Sequence, residues 1–91
     1  MAIRSPRWLV IAALVSLAPD TPGVIELWDG DEVVYVGAAR RLRDELVQRL
    51  LEGDTAATHF AWEISYDPDA RGRELLAEYE SEHHHPPRLN S

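Results

Sequence analysis

The sequence predicts a small α/β domain in which a three-stranded sheet, antiparallel or mixed, is flanked by helices. Three observations support this class. The chain has 91 residues, which is enough for one hydrophobic core. Two apolar runs, Val24–Trp28 and Val33–Gly37, are joined by a short Asp-Gly segment and predict a hairpin. A third run, His59–Tyr66, alternates apolar and polar residues as a half-buried strand does.

The second strand of the hairpin is apolar on both faces, which predicts that it lies at the centre of the sheet. Two further segments have a helical period. The first runs from Ala38 to Glu52, ends at Gly53 and carries one apolar stripe, made of Ala39, Leu42, Leu46 and Leu50. The second begins at Pro68 after an Asp67 cap. We predict that four of its side chains face the core: Leu75, Leu76, Tyr79 and His83. The predicted order is helix, strand, strand, helix, strand, helix.

The N-terminal segment is apolar almost throughout from Trp8 to Ala18. We predict that residues 1–20 form a helix, with Pro6 in its first turn, that packs on a domain formed by residues 21–91. A signal peptide and a strand over Trp8–Val15 are the alternatives, because an apolar run has no decisive period. Eleven apolar residues are too few to span a bilayer, so no membrane partner is expected.

The composition is acidic, with a net charge of −7, which argues against tight non-specific binding of nucleic acid. All nine cationic residues are Arg, and the absence of cysteine fits a cytoplasmic protein without disulfides or thiolate metal sites. Four arginines, Arg40, Arg41, Arg43 and Arg49, fall within ten residues and form one basic strip. Arg40, Arg41 and Arg43 are therefore candidate nucleic-acid-binding residues. The alternative is that nearby acidic residues balance the strip: Asp44, Glu45 and Glu52.

Four sequence pieces in a fixed order resemble the GIY-YIG nuclease family. GVI at Gly23–Ile25 opens the hairpin, YVG at Tyr35–Gly37 ends its second strand, the Arg-rich helix follows, and PPRLN at Pro86–Asn90 closes the chain. The resemblance covers about residues 21–90 and makes Gly23, Gly37 and Asn90 its structural signature. Leu89 stands where the family has a tyrosine.

The resemblance implies metal-dependent hydrolysis of a phosphodiester by two tyrosines, an arginine and a glutamate that holds a divalent ion, for which Mg²⁺ is suited. Tyr35 matches the second tyrosine, whereas Ile25 replaces the first. The arginine position falls on Glu45, which can instead pair with an arginine one turn away. The metal-binding glutamate best matches Glu78, and Glu74 is the fallback.

Two of the four catalytic positions are thus replaced. The resemblance implies a degenerate, non-catalytic binding or interaction module, with a protein partner or weakly bound nucleic acid. The alternative is an active Mg²⁺-dependent DNA endonuclease whose rearranged site uses Tyr35, Arg41 or Arg49, and Glu78. A third reading is an unrelated small domain with chance matches.

Overall fold

The computed structural model describes residues 6–53 and 55–90. They form an antiparallel four-stranded sheet of order β1-β4-β2-β3 with helices on both faces. The elements in chain order are β1 (Trp8–Leu9), α1 (Ala12–Val15), β2 (Gly23–Asp29), β3 (Glu32–Ala39), α2 (Leu42–Leu46), a π-helical segment (Val47–Glu52), β4 (His59–Ile64), α3 (Pro68–His83) and a 3₁₀ turn (Arg88–Asn90). The predicted small α/β class is confirmed, with one strand added at the N-terminus.

The two faces of the sheet have separate cores. On the face covered by α2, here the α2 face, the apolar stripe of that helix packs on the sheet; the buried cluster includes Ile25, Leu27, Leu42, Leu46, Leu50 and Phe60. On the opposite face, here the α3 face, a smaller cluster forms from Val24, Val36, Ala61 and Leu75. Burial of apolar surface on both faces holds the two helices against the sheet. The predicted apolar stripe is therefore confirmed, although Ala39 belongs to β3 and Leu50 to the π-helical segment.

The predicted hairpin is confirmed, and Gly30 lies in its tight turn with φ of +61°, a conformation that glycine adopts without strain. The prediction of a central second strand is wrong, because β3 lies at the edge and β4 pairs with the other side of β2. Strand β4 is also covered on both faces, since Phe60 and Ala61 are both buried. Its alternating face is half-buried at Trp62 and exposed at Ile64.

The N-terminal prediction of one helix is wrong within the described residues. Trp8 and Leu9 form a strand that pairs with Phe60 and His59 of β4, and the helical part is only Ala12–Val15. Pairing with β4 gives backbone hydrogen-bond partners to the start of the apolar run. The sequence of the run alone does not specify this pairing. Residues 1–5 of the predicted helix lie outside the described residues. No helix within the described ranges is long and apolar enough to cross a membrane.

Helix α3 begins as predicted: the backbone N–H of Ala70 donates to Asp67 Oδ1 at 3.2 Å, and Pro68 follows the cap. The helix ends at His83, where His84 takes a left-handed conformation with φ of 65°. Of the residues predicted to face the core, Leu75 is buried, whereas Leu76 and Tyr79 are half-buried and His83 is exposed. The predicted helix after β3 starts at Leu42 rather than Ala38, because β3 continues to Ala39.

Candidate functional site

Gly23 and Gly37 have steric roles in the hairpin. A Cβ atom at Gly23 would lie 2.2 Å from the carbonyl oxygen of Glu63 and 2.8 Å from Leu42 Cδ1, so no side chain fits there. A Cβ atom at Gly37 would lie 2.3 Å from the hydroxyl oxygen of Tyr35. The two signature glycines therefore allow close strand pairing and leave room for the Tyr35 ring.

Tyr35, Arg49 and Glu45 form one group, here the Tyr35 stack. The guanidinium carbon of Arg49 lies 4.1 Å from the centroid of the Tyr35 ring, as in a cation–π contact. Arg49 Nε donates to Glu45 Oε2 at 2.5 Å. The predicted pairing of Glu45 with an arginine one turn away is therefore found, with Arg49 as the partner.

The Tyr35 hydroxyl is held in its neutral form. Burial raises the pKa of Tyr35 above its ordinary value, Arg49 opposes this shift, and Glu45 adds to it. Ile25, which we predict to stand at the position of the first tyrosine, pairs with Gly37 and is fully buried on the same face. The stack therefore has one phenol that resists deprotonation and, beside it, an aliphatic side chain.

Two of the four arginines of the predicted basic strip, Arg41 and Arg49, form ion pairs within the chain, and Arg43 is held by a hydrogen bond to the backbone. Arg41 Nη2 lies 2.5 Å from Asp20 Oδ2, and Arg41 Nε lies 3.5 Å from Asp44 Oδ2. Arg43 Nε donates to the carbonyl oxygen of Ala18 at 2.9 Å. The contacts with Asp20 and Ala18 hold α2 against the segment before β2. Arg41 and Arg43 therefore have a structural role.

A cavity of about 460 Å³ opens at the start of α2 and is here the α2 cavity. It contains two arginines and three carboxylates: Arg40, Arg41, Asp44, Glu45 and Asp69. The formal charge of these side chains is negative, which disfavours a phosphate group at this place.

Glu78 lies on the opposite side of the sheet. It projects from α3 into a second cavity of about 420 Å³, here the α3 cavity. Among the described residues, neither Tyr35 nor any arginine lines it. Glu74, the fallback position, lies outside this cavity and forms an ion pair with Arg71, which also bonds Glu63 at 2.7 Å. The structure thus brings Tyr35 and Arg49 together and separates them from Glu78.

The described residues form no preformed three-ligand site for the Mg²⁺ that the resemblance implies. Mg²⁺ requires closely converging oxygen ligands at about 2.0–2.1 Å. Within residues 6–53 and 55–90, no three His, Asp or Glu side chains converge well enough to hold a metal ion. Glu78 is therefore not part of a preformed three-ligand metal site among the described residues.

Asn90 closes the outer edge of β3. Its Oδ1 accepts from the N–H of Val36 at 2.9 Å, and its Nδ2 donates to the carbonyl oxygen of Val36 at 2.8 Å. The amide imitates the two bonds of a neighbouring strand. Leu89, which we predict to stand in place of a tyrosine, is exposed.

Sequence reasoning missed three acidic residues that shape the two cavities. Asp20 pairs with Arg41, Asp69 lines the α2 cavity, and Glu26 lines the α3 cavity. Glu26 is only 3% exposed. Its position within the apolar run VIELW was the available signal, because a buried carboxylate in a strand requires a specific environment.

The chain belongs to the family described as Domain of unknown function (DUF7508), whose model matches residues 4–82. No curated protein matches it.

Solved structures with the same fold are the GIY-YIG N-terminal endonuclease domain of UvrC from Thermotoga maritima. The magnesium-bound domain aligns with a TM-score of 0.60 and 21% identity, covering 87% of this chain and 93% of that one. Two point mutants bound to the catalytic divalent cation align with TM-scores of 0.63 and 0.64 at 22% and 21% identity. They cover 87% of this chain and 92% and 93% of theirs. The fold is therefore that of GIY-YIG nuclease domains.

Proposed function

We propose that this chain is a GIY-YIG-like domain with a degenerate active site that works as a non-catalytic interaction module. The observation that carries this proposal is the Tyr35 stack. The one signature tyrosine that remains is covered by Arg49, and the charge of Arg49 is balanced by Glu45. A phosphate group would have to displace Glu45 before it could form an ion pair with Arg49.

Hydrolysis of a phosphodiester needs a base for the nucleophile and cations for the negative charge that develops in the transition state. The raised pKa of Tyr35 makes its phenolate scarce at neutral pH. Glu45 places a negative charge where the family has a positive one, and Ile25 has no ionisable group. These replacements remove the base and the cation together.

A protein is the favoured class of partner. The net charge of −7 repels nucleic acid. Within the basic strip, Arg41 and Arg49 are engaged in ion pairs, so phosphate contacts would depend on Arg40 and Arg43. Weak nucleic-acid binding through these residues is the secondary expectation. The lack of cysteine is compatible with a cytoplasmic location for such a module.

An active DNA endonuclease is the alternative, and the contact between Arg49 and Tyr35 is the observation in its favour. That enzyme would use Tyr35 with Arg41 or Arg49, and Glu78 would take Mg²⁺ in the presence of substrate. The position of Glu78 in a separate cavity weighs against it.

A plasmid-nicking assay with Mg²⁺ and with Mn²⁺ tests the proposal. We expect no nicking above buffer by the wild-type chain and no change in Tyr35→Phe or Glu78→Ala. Metal-dependent nicking that is lost in Tyr35→Phe would establish the endonuclease instead. The Glu80→Gln variant, which changes an exposed carboxylate on α3 outside both cavities, controls for handling and contaminating nucleases.

A further inference from the structure

The sequence has three consecutive histidines, His83, His84 and His85, where α3 ends. Each residue advances a helix by about 100°, so a continuous helix would direct the first and third rings about 200° apart. Instead, α3 ends at His83, and His84 takes a left-handed conformation with φ of 65°. The ring centroids of His83 and His85 lie only 6.1 Å apart as a result. The end of the helix therefore brings two imidazoles together and leaves His84 outside the pair.

The ring of Tyr79 supports both imidazoles. His83 lies one helical turn after Tyr79 and stacks on it, with a centroid distance of 4.1 Å. His85 meets the same ring edge-on at 5.9 Å. The two histidines thus belong to one aromatic cluster, although their side chains are exposed to solvent.

The backbone fixes the position of the proton on the His85 ring. His85 Nδ1 lies 2.8 Å from the carbonyl oxygen of Pro86. Because a carbonyl oxygen only accepts, this hydrogen bond places the proton of a neutral imidazole on Nδ1 and leaves the lone pair on Nε2. A backbone carbonyl that orients a histidine through its other nitrogen commonly accompanies metal ligation. This contact is independent of the ring proximity, and it indicates a metal ligand.

The separation of the two rings fits one metal ion. A Zn–N bond is about 2.1 Å, so each ring centroid lies roughly 3.2 Å from an ion that the ring binds, and two centroids lie at most roughly 6.4 Å apart. The observed 6.1 Å is within that limit. The exposure of both side chains leaves them room to adjust toward tetrahedral angles.

The ligand type favours a transition metal over Mg²⁺. Imidazole nitrogen suits Zn²⁺, Ni²⁺ and Cu²⁺, whereas Mg²⁺ takes oxygen ligands. Within residues 6–53 and 55–90, no group of three His, Asp or Glu side chains is placed to hold a metal ion, so the chain supplies two ligands. The net charge of −7 favours the approach of a cation.

We propose that His83 and His85 form a two-histidine site for a divalent transition metal ion, with Zn²⁺ as the best match. Each neutral imidazole donates one nitrogen lone pair to the ion, and His85 does so through Nε2. The remaining coordination positions are open to water or to a ligand group of a binding partner. The inference goes beyond the proposed function and does not depend on it.

The test is a titration of the ¹⁵N-labelled full chain with ZnCl₂ in a chelator-free buffer at about pH 7.5, where histidine is mainly neutral. Calorimetry should give one equivalent of bound Zn²⁺. The ring nitrogens of His83 and His85 should shift in the NMR spectrum, whereas those of His59 on β4 should not. Absence of binding, or equal shifts of all the histidines, would overturn the proposal.

Three variants separate a defined site from unspecific binding by a run of histidines. His83→Gln and His85→Gln should each weaken Zn²⁺ binding by about 10-fold or more, since loss of even an outer partner of a ligand costs about 10- to 100-fold. His84→Asn is the matched control, because asparagine tolerates the left-handed conformation, and it should bind as the wild type does. All three positions are exposed, so the fold is expected to persist. Equal weakening by the three variants would contradict the site.

Excess MgCl₂ should not displace the bound Zn²⁺, and displacement would mean that carboxylates hold the ion instead. The outcomes separate this inference from the proposed function. Failure to bind Zn²⁺ overturns the histidine site alone. Metal-dependent nicking that is lost in Tyr35→Phe overturns the non-catalytic proposal and leaves the histidine site to the ZnCl₂ titration.

Discussion

The α2 cavity and the α3 cavity are similar in size and both contain several carboxylates, but they differ in where the arginines lie. At the α2 cavity, Arg41 is bound to Asp20 and Asp44, and the neighbouring Arg49 is bound to Glu45. At the α3 cavity, Arg7 lies 3.9 Å from Asp31 Oδ1, and no arginine of the described residues lines the cavity itself. The α2 side therefore holds its arginines in ion pairs within the chain, whereas the α3 side has more carboxylates than adjacent arginines among the described residues. The comparison indicates that the net charge of the chain describes neither surface by itself, because ion pairs within the chain engage some of the arginines.

The largest expected effect concerns the core that supports the α2 face. Phe60→Ala removes a fully buried ring and should reduce the free energy of unfolding by about 3–5 kcal/mol. Ile64→Ala, at a side chain that is 53% exposed, should cost less than about 1 kcal/mol. Trp62→Ala should fall between them, because Trp62 is half-buried. Urea denaturation measures all three, and equal losses for Phe60 and Ile64 would contradict the two-core description.

The edge of β3 depends on one side chain. Asn90→Ala removes both hydrogen bonds to the backbone of Val36 and should cost about 1–3 kcal/mol. Hydrogen exchange of the Val36 amide should accelerate at the same time. Leu89→Ala is the control, since Leu89 is exposed and neighbours Asn90 in the same turn. Unchanged protection of Val36 in Asn90→Ala would show that the edge is closed by other contacts.

The contact between α3 and the sheet can be strengthened. Gly72 is helical, and a Cβ atom there would lie 3.7 Å from Ala38 Cβ and 3.9 Å from Val24 Cγ1, which are ordinary contact distances. Gly72→Ala should therefore stabilise the fold by about 1 kcal/mol through helix propensity. Ala77→Gly, at an exposed position of the same helix, should destabilise it by a similar amount. A lower melting temperature for Gly72→Ala would mean that α3 packs closer to the sheet than described.

The smallest effect is electrostatic and lies in the Tyr35 stack. Because burial raises the pKa of Tyr35, its phenol should ionise at a higher pH than a free tyrosine, whose pKa is about 10. The stability from the neutral phenol is fully present below about pH 10 and is lost as pH rises through the folded-state pKa. Glu45→Gln should lower this pKa, and Arg49→Ala should raise it further. The ¹³Cζ shift of Tyr35 measures each value, and an opposite order would contradict the stack.

Local sequence patterns predicted the elements whose structure depends on residues that are close in the sequence. The hairpin, the Asp67 cap with Pro68, and the apolar stripe of α2 all follow from short-range periodicity and turn chemistry. The N-terminal segment was predicted wrongly because its apolar run lacks a period, and pairing of Trp8 with Phe60 across the sheet decides its structure.

The site was predictable only in part for the same physical reason. Counting along the helix placed Glu45 within reach of Arg49, since both lie one turn apart. The contact of Arg49 with Tyr35 depends on how the π-helical segment packs on β3, which no local pattern specifies. Glu78 was assigned by counting from Asn90, but α3 directs it into a cavity on the opposite face from Tyr35.

The most direct test of the central claim, that the Tyr35 side is closed to phosphate by its own ion pairs, is the salt dependence of DNA affinity in wild type and Glu45→Arg. The substitution adds one cation and releases Arg49 from its partner. We predict weak wild-type binding with a shallow slope, and a variant that binds more tightly with a slope steeper by about 2 in log–log units, since each phosphate contact contributes about 0.9. Tight, steeply salt-dependent binding by the wild type that Glu45→Arg leaves unchanged would contradict the account.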